Sequence, residues 1–469
     1  MRMLISFSGR PLTKTWRFSR SCWSWLRMMS SPSNHMPPLR RLFSSRNYNP
    51  EERWRKQYRV IEEKNDVFRA YITVFPKPVV ESSFRKKILR GISFGVKDVF
   101  HIKGYPTTAG SKLLSNMVSS RTAAVVSRII ETGGAVNGKT NLHEFAFGVS
   151  NINPFYGACL NPFDTSRVSG GSSGGSAVAV ALGMCDVGLG TDTAGSVRVP
   201  AAFCGVVGFK PTSGHLSTDG VIPLSWSMDH VGILSRSVWE TILVYSVLVG
   251  KPLKPAEIRP LSLERLRIGV PSNYFLDLLD RHVEEAFEKG LKTLEQKGAV
   301  LEEVVVENVE KAARCRSVIA FAEAAAYHLR LSRGRLSEYG QDVRDRIVRG
   351  LAIPAAAYLN ALRARKKLVR EFEKIFTKID VLATPTTLIP AHRVDEENVE
   401  IEGRLISVRE ASLKNTEPFN LYGAPAISIP AGNTPQGLPI GIQLVGPRGE
   451  DMKLLRIALA VEKAFTASS

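Results

Sequence analysis

Two apolar periods alternate along this chain, one belonging to helices and the other to short buried strands. Residues 121–132, RTAAVVSRIIET, place apolar side chains at helical spacing, and Gly133 and Gly134 stop the run. AVNGKTN behind it reads as strand and loop. RHVEEAFEKGLKTLEQKG (281–298) and AAAYLNALRARKKLVREFEKIF (355–376) have the amphipathic pattern of helices, and residues 452–465 that of a closing helix. AVLEEVVV (299–306), DVLATPTT (380–387), APAISIP (424–430) and IGIQLV (440–445) are apolar runs of strand length. The charged segment 51–74 is helix-like throughout, whereas 143–164 is irregular, with the Gly, Asn and Pro content of a pocket wall. The alternation of helix and strand predicts an α/β fold. The longest apolar run, 241–250, is too short to cross a bilayer.

At its centre the pattern is broken by two loops rich in glycine and small hydroxyl residues. Gly170, Gly171, Gly174 and Gly175 surround Ser172 and Ser173; the helix-length run 176–184 follows, then the strand-like CDVGLG, then a second loop at 191–196. Ser196 opens a further apolar segment, VRVPAAF. A serine at a strand-to-helix turn presents its hydroxyl beside converging backbone N–H groups, which is oxyanion-stabilising geometry. Such a serine needs a base, and no histidine lies between His143 and His215. Lys97, at the end of the apolar run GISFGVK, is the candidate. It can act as a base only if burial brings its pKa from about 10.4 to near neutrality.

Taken singly, each residue has a plainer reading. Lys97 could be a surface lysine paired with Asp98, Ser172 a loop serine and Ser196 a helix N-cap. Local pattern does not choose between Ser172 and Ser173. Taken together, GVKD (95–98), GGSSGGS (170–176) and GTDTAGSVR (190–198) with PAAFCG behind it resemble the amidase signature family of Ser-Ser-Lys amide hydrolases. The C-terminal pieces DVLATPT, EPFNLYGAPAISIPAG and LPIGIQLVG are also similar to that family's.

The resemblance implies one α/β/α domain over residues 49–469, built on a large mixed sheet covered by helices. It makes Ser196 the nucleophile, Ser172 a bridging serine on a cis peptide, and Lys97 the base. Backbone N–H groups of Thr193, Ala194, Gly195 and Ser196 would form the oxyanion hole, with Gly148 and Ser150 against the substrate. Asp192 is expected to hold the loop as an acceptor, and Arg198 to be a structural cation. Ala194 stands where the family mostly has Gly, which is tolerable only at negative φ.

The implied activity is hydrolysis of a small aryl or acyl amide to a carboxylate and ammonia or an amine, with no cofactor and no metal; His143-Glu144 lacks the second histidine of a zinc motif. The alternative is the A subunit of a tRNA-dependent amidotransferase, releasing ammonia from glutamine for its partner subunits. Arg365 falls at that protein's glutamine-binding arginine. However, Leu413 occupies the position of its substrate-binding aspartate, and Ala355-Ala356-Ala357 replace an expected Tyr-Tyr-Asp. Those departures favour the free-standing hydrolase.

Composition changes this picture little. Of the formal charge of +19, +9 lies in the first 50 residues, which hold eight Arg, one Lys and no acid. Residues 1–48 therefore read as a basic extension, either an organellar (mitochondrial or plastid) transit peptide or the product of a start placed too early, with Met28, Met29 and Met36 behind it. The remaining charge forms no Lys/Arg block, so dedicated nucleic-acid binding is not expected. Five cysteines without CxxC pairing, Cys22, Cys159, Cys185, Cys204 and Cys315, predict reduced thiols in an intracellular, cytoplasmic or organellar, setting. A homo-oligomer is compatible with this composition.

Overall fold

The computed structural model describes residues 39–43 and 48–467, so most of the basic extension, and with it the transit-peptide reading, lies outside the described residues. The part that is described is not detached. Leu39 is buried in the main core, and Phe43 packs on Trp239.

An eleven-stranded sheet runs through the described residues. From edge to edge its strands are Tyr71–Val79, Ala135–Thr140, Ser93–Lys97, Val187–Asp192, His230–Ser235, Val207–Lys210, Ala426–Asn433, Pro439–Val445, Val381–Pro385, Arg267–Pro271 and Val300–Val304. Pairing is mixed: parallel where Ser93–Lys97 meets its two neighbours and where Arg267–Pro271 meets its own, antiparallel elsewhere. Strands buried on both faces are largely apolar, and helices cover the sheet as the alternating pattern requires. Helix Val238–Leu248, buried along its whole length, absorbs the long apolar run at 241–250. No helix among the described residues is long and apolar enough to cross a membrane.

The parallel pair at the centre fixes the site. Ser93–Lys97 and Val187–Asp192 run side by side with Val96 opposite Leu189, so their carboxyl ends reach the same edge of the sheet. Lys97 and the loop after Asp192 therefore emerge together, at the place where open α/β sheets hold their ligands. Helix Gly174–Ala181, made of small residues, packs directly behind Val187–Asp192.

One sequence expectation is corrected. The helix-like segment 51–74 is two elements: helix Pro50–Phe68 is closed by Arg69 in the left-handed region (φ 48°), and the aromatic and β-branched YITVF then enters the sheet as an edge strand. The region 310–360 is mostly helical, with Ala312–Ser332, Gln341–Leu351 and the start of Ala355–Ile375. A small hairpin, Asn398–Ile401 with Arg404–Ser407, carries no pattern that marked it in advance.

Candidate active site

Lys97 ends a strand whose five residues are all buried, and its own side chain is wholly inaccessible. Its Nζ donates to Ser172 Oγ at 2.8 Å and to Thr191 Oγ1 at 2.8 Å. The alternative pairing with Asp98 does not occur. Asp98 turns to Lys139, 2.5 Å away and equally buried, and to the Thr108 backbone and hydroxyl. Lys97 is thus left among hydroxyls with no carboxylate in contact. Burial pushes its pKa down to about 7, against a weaker upward pull from Asp229 and Asp192. An amine with that pKa is substantially neutral near pH 7.

Ser172 follows a cis Gly171–Ser172 peptide bond. The structure also separates it from Ser173. Ser173 Oγ donates to the Thr191 carbonyl at 3.1 Å and accepts from the Thr191 N–H at 3.3 Å, so that hydroxyl ties the two loops together. The Ser173 N–H in turn donates to the Ser196 carbonyl at 3.2 Å, holding the second loop against the first. Ser172 is the serine left to face the lysine.

The loop carrying Ser196 is shaped by Asp192. Its carboxylate accepts from the Gly195 N–H at 2.8 Å and the Val197 N–H at 3.1 Å, and is gripped from the other side by Arg198 at 2.9 and 3.1 Å. The remaining Arg198 donors go to the Thr416 carbonyl, Asn420 Oδ1 and Gln443 Oε1. Burial alone would raise the Asp192 pKa, but Arg198, Lys210 and Asn420 hold it far below the ordinary carboxylate range. Both residues are therefore the scaffold the sequence anticipates.

One oxyanion candidate is corrected by this geometry. The Gly195 N–H is committed to Asp192, whereas the amides of Thr193, Ala194 and Ser196 are hydrogen-bonded to no acceptor among the described residues. Gly195 is needed for another reason: it adopts φ +133°, and a Cβ there would collide with the Thr416 hydroxyl. Ala194 is not in the left-handed region, so its methyl group is accommodated. Thr193 is anchored through its hydroxyl to Asp229 at 2.5 Å.

Ser196 opens into a pocket lined by Gly148, Thr193, Ala194, Leu224 and Leu413, with Arg316 and Arg409. Gly148 is thus at the site, and it must be glycine because the His143 ring occupies the place where a Cβ would be. Ser150 is displaced from it. It lines a larger neighbouring cleft that shares Val149 and Arg409 with the first. Arg316 and Arg409 were invisible in the sequence because each sits in an ordinary charged helix with no motif around it.

Other candidates fall away. His230 is hydrogen-bonded to the Asp192 carbonyl at 3.1 Å and His215 to Tyr245 at 3.1 Å, both structural roles. The Cys204 thiol is buried and its pKa is pushed far up by that burial, so it is no nucleophile. No cluster of three or more metal-ligating side chains occurs among the described residues.

A family model described as Amidase matches residues 59–455. The chain belongs to the amidase signature family. Members of this family are hydrolases acting on amide C–N bonds, and the mixed sheet flanked by helices is theirs. The chain is similar to the A subunit of glutamyl-tRNA(Gln) amidotransferase from Halothermothrix orenii, at 34% identity over 91% of this chain and 96% of that protein. Among solved structures it resembles an amidase, with a TM-score of 0.81 at 34% identity over 91% of this chain and 98% of the other. It also resembles the A subunit of the Thermotoga maritima glutamyl-tRNA(Gln) amidotransferase, with a TM-score of 0.78 at 32% identity over 91% and 94%.

Proposed function

We propose that this amidase-family chain hydrolyses a carboxylic amide through an acyl-enzyme on Ser196. The observation that carries this reading is the hydrogen bond from fully buried Lys97 to Ser172, with no carboxylate in contact to keep the amine charged. Neutral Lys97 takes the Ser172 proton as Ser172 takes that of Ser196, and Ser196 Oγ attacks the amide carbon. The oxyanion collects the free amides of Thr193, Ala194 and Ser196, each donor contributing about 3 kcal/mol of transition-state stabilisation. The proton returns through Ser172 to the leaving nitrogen, the C–N bond breaks, and water then adds to the acyl carbon to release the carboxylate and free Ser196.

Two substrates compete. The relatives named as amidotransferase A subunits favour glutamine, with the ammonia passed to partner subunits. Two positions favour a different amide and a free-standing enzyme. Arg365, at the position of the amidotransferase's glutamine-binding arginine, donates to the Leu421 carbonyl at 2.8 Å and to the Ser227 carbonyl at 3.1 Å. Leu413, at the aspartate position, lines the pocket and offers no charge for an α-ammonium group. The chain alone, assayed for ammonia release from glutamine and from a panel of aliphatic and aryl amides, decides between them. Turnover confined to glutamine gives the amidotransferase component, turnover of the panel without glutamine gives the free-standing hydrolase, and release from none of them removes the hydrolytic reading.

A further inference from the structure

The pocket beside Ser196 contains two arginines and no acidic side chain among its lining residues, and the two arginines differ in one respect. Arg316 is neutralised: its Nε donates to Glu417 Oε2 at 2.8 Å, with both side chains nearly fully buried. A third arginine close by, Arg346, is neutralised as well, by Asp342 at 2.9 Å, and it also donates to the Phe147 carbonyl. Arg409 makes no hydrogen bond or ion pair among the described residues, although it lines both this pocket and the larger cleft next to it.

The acids of the neighbourhood act on it only at a distance: Glu417 and Asp342 pull its pKa up without an ion pair to it. Asp342 is held by His143 at 2.8 Å and by Arg346, and Glu396 accepts the Arg393 N–H at 2.7 Å. Glu397 lines the larger cleft with Arg409, and no ion pair between the two occurs among the described residues. Burial and the proximity of Arg316 and Arg346 push the Arg409 pKa down to about 9, a cost that a bound anion would remove. Arg409 also precedes Leu413 by four residues on helix Val408–Leu413, so both present to the same wall.

We infer that the amide hydrolysed at Ser196 carries a carboxylate at the end remote from the scissile bond, and that Arg409 pairs with it. This rests on the hydrolytic reading above and deepens it: the arginine that reads the substrate's charge is Arg409, in place of Arg365, which is bound to backbone carbonyls. A guanidinium reads a carboxylate through two parallel N–H donors, and an aliphatic amide of the same length without that group leaves it unpaired. Both glutamine and a simple amido acid meet the requirement; a neutral amide does not.

The test uses succinamate and its neutral counterpart butanamide on the full chain. Calorimetry with the Ser196→Ala chain, which cannot turn substrate over, is expected to find succinamate bound about 30-fold more tightly than butanamide. Adding Arg409→Met is expected to erase that ratio, and Arg409→Lys to restore part of it. In the chain with Ser196 intact, Arg409→Met is expected to lower the ratio of kcat/KM for succinamate to that for butanamide by a similar factor, mainly through KM. Equal binding of the two amides, or an unchanged ratio in Arg409→Met, overturns the inference. Retained discrimination in binding with no turnover of either amide would instead sink the hydrolytic reading and leave anion recognition standing.

Discussion

Lys97→Met is expected to lower kcat for amide hydrolysis by about 10,000-fold or more, the scale on which nucleophile–base units fail when one member is removed. The variant keeps the linear stem but cannot take a proton. Its stability at pH 7 is expected to hold or rise, because the wild-type amine, with its folded pKa of about 7, sits below the unfolded value near 10.4. For a lysine shifted in that direction, the fold loses stability as pH drops from about 10 towards 7, and methionine escapes the loss. Ser172→Ala and Ser196→Ala are expected to fall by comparable factors, and the double variants by little more, since the three act as one unit. Ammonia release and thermal unfolding of the same preparations check both halves. A lysine that merely braced the loops would give the opposite pattern, losing stability and keeping turnover.

The second large effect concerns the scaffold. Arg198→Met is expected to destabilise the fold by about 3–5 kcal/mol at pH 7, because it strands the Asp192 carboxylate inside the protein and leaves acceptors on Thr416, Asn420 and Gln443 unpaired. The pH dependence identifies the cause. Asp192 has a folded pKa depressed below its unfolded value near 3.9. Its contribution is therefore complete above about pH 4 and is lost as pH falls below that. Urea unfolding at pH 7 and at pH 3 is expected to show the gap between wild type and Arg198→Met narrowing at the lower value. A gap of the same size at both would assign the loss to packing around a missing side chain.

What the sequence revealed and what it concealed divide along a physical line. Lys97, Ser172 and Ser196 were legible because close loop packing demands glycine and small hydroxyl residues, which punctuate an otherwise periodic chain. The parallel strands Ser93–Lys97 and Val187–Asp192 were legible as apolar runs ending at that chemistry. The pairings were not. Asp98 is adjacent to Lys97 in sequence, yet from the turn after the strand it binds Lys139, 41 positions away on the neighbouring strand Ala135–Thr140. Apart from Asp192, Arg198 finds its partners more than 200 residues downstream, and nothing local announces them. The commitment of the Gly195 N–H to Asp192 depends on a loop conformation that composition does not determine. The pocket arginines are hidden for a different reason: Arg316 and Arg409 look like any solvated charge on a helix until the fold turns them inward.

Proton transfer through Ser172 requires a neutral amine at Lys97, and the pH profile of kcat/KM probes it most directly, since that quantity reports the free enzyme. Activity is expected to rise with pH along a single limb centred at about 7, where Lys97 loses its proton. Asp229, with its own pKa raised to about 6 by burial, titrates close by, so Asp229→Asn is the companion measurement. Removing that negative charge is expected to ease deprotonation of the lysine and move the limb to lower pH. A profile flat from about pH 5 to about pH 9, or a limb that disappears in Asp229→Asn, would contradict the assignment of the base to Lys97.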